Sequence, residues 1–503
     1  MNRDRSTPAR VVYIIIDGMS TTAFEQVTAS GSAPALRFLK DHSSYVRDSI
    51  AVWPTITPAA TSSLVTGATP AQHGIPGMCW YDREQQRFVN FGQSPRVAVI
   101  EGASQIVEDI LVNLNERYLS RDVQTLHERL DRLGFTTASV NYMIFRGPYR
   151  HELKPNLIER LFFRKQLPDH LCGPKEHYFA DVVTGRADAC AKLLSARNLE
   201  KRVRVTDGWA ACVTRDLLEK NAAEMILFYL HENDHSSHKD GPHSQVDSLA
   251  EADKHVGHVL DAFDSWEQAI AEVGFVVTAD HSQSPVINDE DHIFQLEDVL
   301  ADFHSVDPSR GEEPLEGDGC DVACAGNGRL GFIYLNSHRK SFLHSSVVKT
   351  LVDCPGIDQV MYKEKDTYVV HTDRGVLRFW EARDGDAVVD ERKERWSYDG
   401  ELGVISGVVE DGRIRTPEYP LAMWRIASAL DLDRTGDVVV TTKLGYEVKD
   451  IAGGDHKGGG DHGSLHVQDS IVPFLSTLAD PPLRPSTVDV APHVLRHFEW
   501  IRA

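Results

Sequence analysis

Three apolar, strand-length runs in this chain lead directly to acids or to an acid-histidine pair, and helical patterning separates them. Val11–Ile16 ends at Asp17-Gly18, Met225–Leu230 ends shortly before Asp234, and Phe275–Thr278 is followed by Asp280-His281. A continuous apolar strand has no face to offer water, so it belongs inside a sheet covered on both sides. Ala138–Ile144 reads as a fourth such strand, and Ser248–Phe263 carries apolar residues at helical spacing. Buried strands joined by helices imply an α/β fold with a doubly wound, mostly parallel sheet. In such sheets ligands gather beyond the carboxyl ends of the strands, which is where the acids and histidines fall.

From about Phe294 to Tyr419 the texture changes to charged sequence with short strand-like pieces at Leu330–Leu335, Thr367–His371 and Val376–Trp380. This predicts an α/β core over 1–293 and 420–503 and an inserted α+β cap over 294–419. The core pattern is expected to resume at Val438–Thr442 and to continue through Val472–Leu475.

The formal net charge of −22 argues against binding a nucleic-acid polymer. It leaves room for a small anionic substrate, because bound divalent cations reverse the local sign. No leader-like segment opens the chain and no run reaches membrane-spanning length, so no membrane partner is expected. The seven cysteines are scattered, and Cys320 and Cys324 have no second thiol pair. A disulfide framework or a cysteine zinc site is therefore not expected, and the pattern suggests a reduced, cytoplasmic protein. The oligomeric state is left open.

Taken one at a time, the polar residues at the strand ends have ordinary explanations. Asp17 suits a helix cap, Asp234 and His238 form a common pair, and His462 in Gly458–Gly463 suits a surface turn. Asp280-His281 is more demanding, since two adjacent polar groups at a strand end need partners.

Their order and context narrow the reading. Trp53-Pro54-Thr55-Ile56-Thr57-Pro58, continuing to Val65-Thr66-Gly67 and then to Gln72-His73-Gly74-Ile75, resembles the nucleophile segment of the alkaline phosphatase superfamily. The branch it resembles is the type I phosphodiesterase/nucleotide pyrophosphatase family. The opening Asp17, the Asp234/His238 pair, Asp280-His281 and a final His462-Gly463 occur in that family's order. The resemblance covers 11–82, 225–285 and 438–495. It implies Thr57 as the catalytic nucleophile, one metal on Asp234, His238 and His462, and a second on Asp17, Asp280, His281 and the Thr57 oxygen. Mixed carboxylate and imidazole ligands suit two zinc ions, with manganese or iron as alternatives. A threonine hydroxyl is a poor nucleophile until a base or metal acidifies it, and two metals ~4 Å apart can clamp an in-line displacement. The implied activity is phosphodiester or pyrophosphate hydrolysis of a small phosphate ester. The rivals are a phosphomonoesterase or phosphonate hydrolase, and a binding protein that merely retains the fold.

Two positions depart from the nucleotide-cleaving pattern. Pro58 stands where an aromatic residue is usual, and Met78 where a phosphate-binding asparagine is usual. Arg146 and Arg150 are candidate phosphate contacts, and Trp80 and Tyr81 a candidate substrate wall. His231, His235 and His466 are further residues within sequence reach of the site. Gly326-Asn327-Gly328-Arg329-Leu330-Gly331 fits a dinucleotide-binding pattern but is followed by a strand, so that context fails. Asp431-Leu432-Asp433 begins like a calcium loop but lacks the closing glutamate.

Overall fold

The computed structural model describes residues 8–93, 103–153, 170–179, 183–184, 190, 206–306, 314–383, 385, 387–483 and 485–502. The central sheet contains β1 (Arg10–Ile16), β2 (Ser44–Ile50), β3 (Thr137–Val140), β4 (Glu176–Phe179), β5 (Val183–Thr184), β6 (Met225–Leu230), β7 (Val273–Thr278) and β8 (Ile471–Ser476). Its spatial order is β2-β8-β7-β1-β6-β3-β4-β5. The five strands from β7 to β4 run parallel, while β8, β2 and β5 pair antiparallel at the two sides. The doubly wound, mostly parallel architecture expected from sequence is present.

β1 shows why its sequence is apolar throughout. Val11, Tyr13 and Ile15 enter one hydrophobic cluster, and Val12, Ile14 and Ile16 enter another formed with Phe24, Leu36 and Val256. A period of two sends alternate side chains to opposite faces, and both faces are covered. The helix predicted over Ser248–Phe263 forms as Gln245–Leu260.

A second, ten-stranded sheet is built largely from the charged segment. Val438–Thr442, expected to belong to the returning α/β core, pairs instead with Leu330–Leu335 and Ile357–Glu364, antiparallel to both. Its five residues are all buried, so either sheet would have accepted the run, and pairing partners decided. Leu330, Phe332 and Val439 of this sheet share one apolar cluster with Tyr13 and Ile15 of β1. The second sheet thus packs as part of the same core.

The expectation that the thiols stand apart is corrected at one place: Cys190 and Cys212 form a disulfide, with Cα atoms 5.9 Å apart. Among the described residues no helix is long and apolar enough to cross a membrane.

Candidate active site

Adjacent parallel strands β7, β1 and β6 end at one edge of the sheet, and each delivers acids there. The Asp17 amide continues the ladder past β1, donating to Leu230 O at 2.9 Å. Helix α2 (Glu232–Asp240) starts just after β6, and its 3.6-residue period puts Asp234 and His238 on one face. Gly18 makes the convergence possible. Its φ is +65°, and a Cβ there would lie 2.7 Å from Asp234 Oδ1.

Thr57 opens helix α1 (Thr57–Thr66), which is buried along its whole length and closed by Gly67 in the left-handed conformation. So polar a helix can be buried because Thr61, Ser62 and Thr66 donate back to carbonyls four residues earlier, at 2.5, 2.6 and 2.6 Å. Its positive dipole end faces the strand ends.

All seven predicted residues converge. His281 Nε2 lies 3.5 Å from Asp17 Oδ1, 3.5 Å from Asp280 Oδ2 and 3.1 Å from Thr57 Oγ1. His238 Nε2 lies 3.3 Å from Asp234 Oδ2 and 3.2 Å from His462 Nε2, and the latter is 3.9 Å from Asp234 Oδ1. The His281 and His462 rings stack at 3.6 Å, joining the two groups.

The other ring nitrogens set the direction of these imidazoles. Nδ1 of His238, His281 and His462 faces the carbonyls of Gly460, Ser282 and Thr55, at 2.9, 3.2 and 2.6 Å. A carbonyl can only accept, so each Nδ1 carries the proton and each Nε2 lone pair points inward. The Nε2 atoms of His238 and His462, 3.2 Å apart, cannot both turn lone pairs on each other, so a proton or a metal cation must lie between them. Asp17 Oδ1 and Asp280 Oδ2 are buried without a hydrogen-bond partner. A tetrahedral ion with bonds of ~2.0 Å has ligand edges of about 3.3 Å, close to the separations found. The donor sets therefore fit divalent cations.

Electrostatics agree. Burial, then the charges of Asp280 and Asp234, push the Asp17 carboxyl well up. Burial pushes Asp280 up to about 6 and His462 down to about 4. Asp234 runs the other way: burial opposes its charge, but His238, His462 and His281 hold it below the usual carboxylate range. Burial works against a proton on His238, yet the same Asp234 charge pushes the imidazole up, so the pair carries a proton that a cation can replace.

Several supporting residues were not foreseen. The Tyr229 hydroxyl donates to Asp17 Oδ2, and Gln283 Nε2 donates to Asp234 Oδ1. The rejected glycine motif also has a structural task. Gly328, at φ +64°, leaves room for Asp461, while the Arg329 amide donates to His462 O at 2.8 Å. The buried Arg329 guanidinium reaches Asp469 at 2.7 Å, Ser464 Oγ at 3.1 Å and Ser284 Oγ at 2.8 Å. It thereby braces the segments that carry both His281 and His462. Tyr229 is the last but one residue of β6, next to the strand that leads to Asp17. Arg329 carries no flag in the sequence.

Other candidates take structural roles. Arg146 is buried and donates to the carbonyls of Leu119, Ser120 and Val123 and to Glu128, so its guanidinium is committed. Arg150 pairs with His170. Trp80 packs edge-on against Tyr118 and Phe91, and Tyr81 against Phe88, all within the core. His466 caps the short helix Val467–Ser470, its Nδ1 accepting from the Gln468 amide at 3.2 Å. At Met78 the main-chain amide donates to Asn327 Oδ1, and Asn327 Nδ2 is taken by the Cys79 carbonyl. Asn327 thus does not replace the missing phosphate-binding amide.

Residues 11–465 match the family model described as type I phosphodiesterase / nucleotide pyrophosphatase. The chain belongs to this family. It is a metal-dependent hydrolase of the phosphodiesterase/pyrophosphatase type. Similar solved structures share the fold across nearly the whole chain. Murine ectonucleotide pyrophosphatase/phosphodiesterase 5 is 13% identical with a TM-score of 0.54, covering 97% of this chain and 95% of that one. Phosphonoacetate hydrolase from Sinorhizobium meliloti 1021, in complex with phosphonoformate, is 15% identical with a TM-score of 0.57, covering 98% and 96%. An inactive form of the murine protein, with a threonine changed to alanine, is described in complex with AMP.

Proposed function

We propose that this family member cleaves phosphodiester or pyrophosphate bonds in small molecules, using two divalent metals and a covalent phosphoryl intermediate on Thr57. One observation carries the reading: the Thr57 hydroxyl, at the N-terminus of a buried helix, lies 3.1 Å from His281 where the two donor groups meet. Asp234, His238 and His462 would hold one ion, and Asp17, Asp280, His281 and Thr57 Oγ1 the other. The mixed oxygen and nitrogen set favours zinc, with manganese or iron as alternatives. When bound, such ions supply Lewis acidity, acidifying a hydroxyl and neutralising charge on a departing oxygen.

Thr57 Oγ1 forms a bond to phosphorus as the bond to the leaving group breaks. The hydroxyl proton passes to solvent, and the leaving oxygen takes one from solvent. Water then attacks the phosphothreonine, the Thr57–phosphorus bond breaks, and the hydroxyl is restored. The α1 dipole favours the anionic phosphoryl group throughout. The murine relative inactivated by a threonine-to-alanine change supports this role for a threonine.

The rival reading is a phosphonate hydrolase or phosphomonoesterase. The likeness to phosphonoacetate hydrolase and the Pro58 and Met78 departures favour it. Against it, an extra substrate charge calls for extra cations, and Arg146 is committed to backbone carbonyls. The thiol pattern no longer supports a cytoplasmic setting, because a bridge such as Cys190–Cys212 persists most readily in oxidising compartments.

Zinc-loaded protein assayed on a model diester, a monoester, a pyrophosphate and phosphonoacetate would rank the readings. Thr57→Ala should bind zinc nearly as well as wild type yet lose at least ~100-fold in turnover, while Thr57→Ser keeps measurable activity. Normal turnover by Thr57→Ala would reduce Thr57 to a helix-start residue.

A further inference from the structure

The glycine-rich loop that carries His462 is gathered at a further donor cluster beside His238. Glu447 Oε1 lies 2.8 Å from His456 Nδ1, and Asp461 Oδ2 lies 3.6 Å from the same nitrogen. Both carboxylates are buried. One oxygen of each is occupied: Glu447 Oε2 accepts the His456 amide and Asp461 Oδ1 the His462 amide, both at 2.8 Å. Asp461 Oδ2 is left buried with no hydrogen-bond partner, facing the imidazole. Two buried carboxylates around one imidazole are net negative when both are ionised, even with that ring protonated, so the cluster needs a further proton or a cation.

We propose that Glu447, His456 and Asp461 form a third divalent-cation site, adjoining the donor group of Asp234, His238 and His462 through Asp461, that clips the loop bearing His462. Ligand atoms of the three residues all lie within 4.8 Å of one another. Two carboxylates with an imidazole are a donor class taken by zinc or manganese. The separations of 2.8 and 3.6 Å bracket the edge of about 3.3 Å in a tetrahedral zinc site. The His456 side chain is 36% exposed, which leaves a path for the ion.

The loop has a physical need for such a clip. Gly458, Gly459 and Gly460 form its middle, and glycine runs lose the most conformational freedom on ordering. Bulkier residues cannot stiffen it, because a Cβ at Gly459 would lie 1.9 Å from His238 O. A cross-link spanning residues 447, 456 and 461 restrains the loop without filling that space. It also fixes His456 against the His238 ring, whose centroid is 4.2 Å away.

The test loads chelator-stripped protein with zinc alone and counts bound ions per chain after desalting. Glu447→Gln and His456→Asn should each bind about one ion fewer than wild type. Asp280→Ala should lose metal from the reaction centre and keep this ion, so the clip is judged separately from the proposed reaction. Crystals of the unmodified protein grown with zinc give a readout that needs no variant. An anomalous peak within bonding distance of Glu447, His456 and Asp461 would support the site. Peaks at the reaction centre without one here would overturn it, as would unchanged stoichiometry in both variants, leaving a protonated His456 to hold the carboxylates.

Discussion

At the scale of single residues, the site is a case of donors aimed by their neighbours. Each of the three inward histidines is oriented by a backbone carbonyl on its other nitrogen, and Asp17 by the phenol of Tyr229. Burial and the nearby Asp17 charge keep the Tyr229 hydroxyl protonated, hence a donor. Tyr229→Phe removes that bond but keeps the ring that packs against Tyr142. Zinc affinity should fall roughly 10-fold, the low end for loss of such a supporting partner, with no change in fold. Competition with a chelator measures it, and an unaltered affinity would leave Tyr229 as core packing alone. Thr57, Asp17, Asp234, His238, Asp280, His281 and His462 were named from sequence by the order of motifs that resembles the family's, and the fold brings their side chains together. Arg146 was misread. A basic residue beyond a strand looks the same in sequence whether it meets phosphate or three carbonyls.

At the scale of elements, the hairpin Val322–Asn327/Leu330–Leu335 turns through Gly328-Arg329 directly beneath the His462 loop. Replacing Arg329 by Met leaves Asp469 as a buried charge without its partner, a change that costs about 3–5 kcal/mol. Urea unfolding should show this loss for Arg329→Met and a comparable one for Asp469→Asn, with the double variant destabilised by less than their sum. Strict additivity would mean the two side chains do not act as a pair. A second element-level device is Asp253 on Gln245–Leu260. It accepts the Ala35 and Leu36 amides at the start of helix Pro34–Asp41, at 3.3 and 2.6 Å. Burial raises its carboxyl to about 6 although those amides favour the charge. A carboxyl raised on folding contributes stability that is present below about pH 4 and lost as pH rises through 6. Wild type should therefore gain on Asp253→Asn as pH falls from 7 to 4. Parallel pH profiles of unfolding free energy would refute that linkage.

At the scale of the whole molecule, two sheets and a long-range loop meet at one place. Strands β1, β6 and β7, helix α1 and the segment around His462 come from positions more than 400 residues apart, as the 410-residue span of the Trp53–Gly463 hydrogen bond illustrates. Ions bound there would tie these segments together only in the folded state. Zinc at 1,000 times its dissociation constant should add about 4 kcal/mol of stability. Chelation should lower the thermal midpoint, and restoring zinc should raise it again. A midpoint indifferent to chelation would argue that the ligand groups are held by packing alone.

The sequence by itself determined five of the eight strands of the central sheet and the residue types at its edge, since strand burial and residue spacing are local properties. Ser44–Ile50, Glu176–Phe179 and Val183–Thr184 carried no comparable apolar run. Val11–Ile16 can only be a buried strand, and the acids beyond it had to find partners. Only the tertiary structure decided which sheet Val438–Thr442 would join, because its buried face suits either and long-range pairing breaks the tie. It likewise decided that Arg329 would brace both histidine segments and that Cys190 would meet Cys212. These contacts span tens to hundreds of residues, and no spacing rule reaches that far. Their free energy depends on what the completed core leaves within reach, not on the residues that flank each partner in the chain.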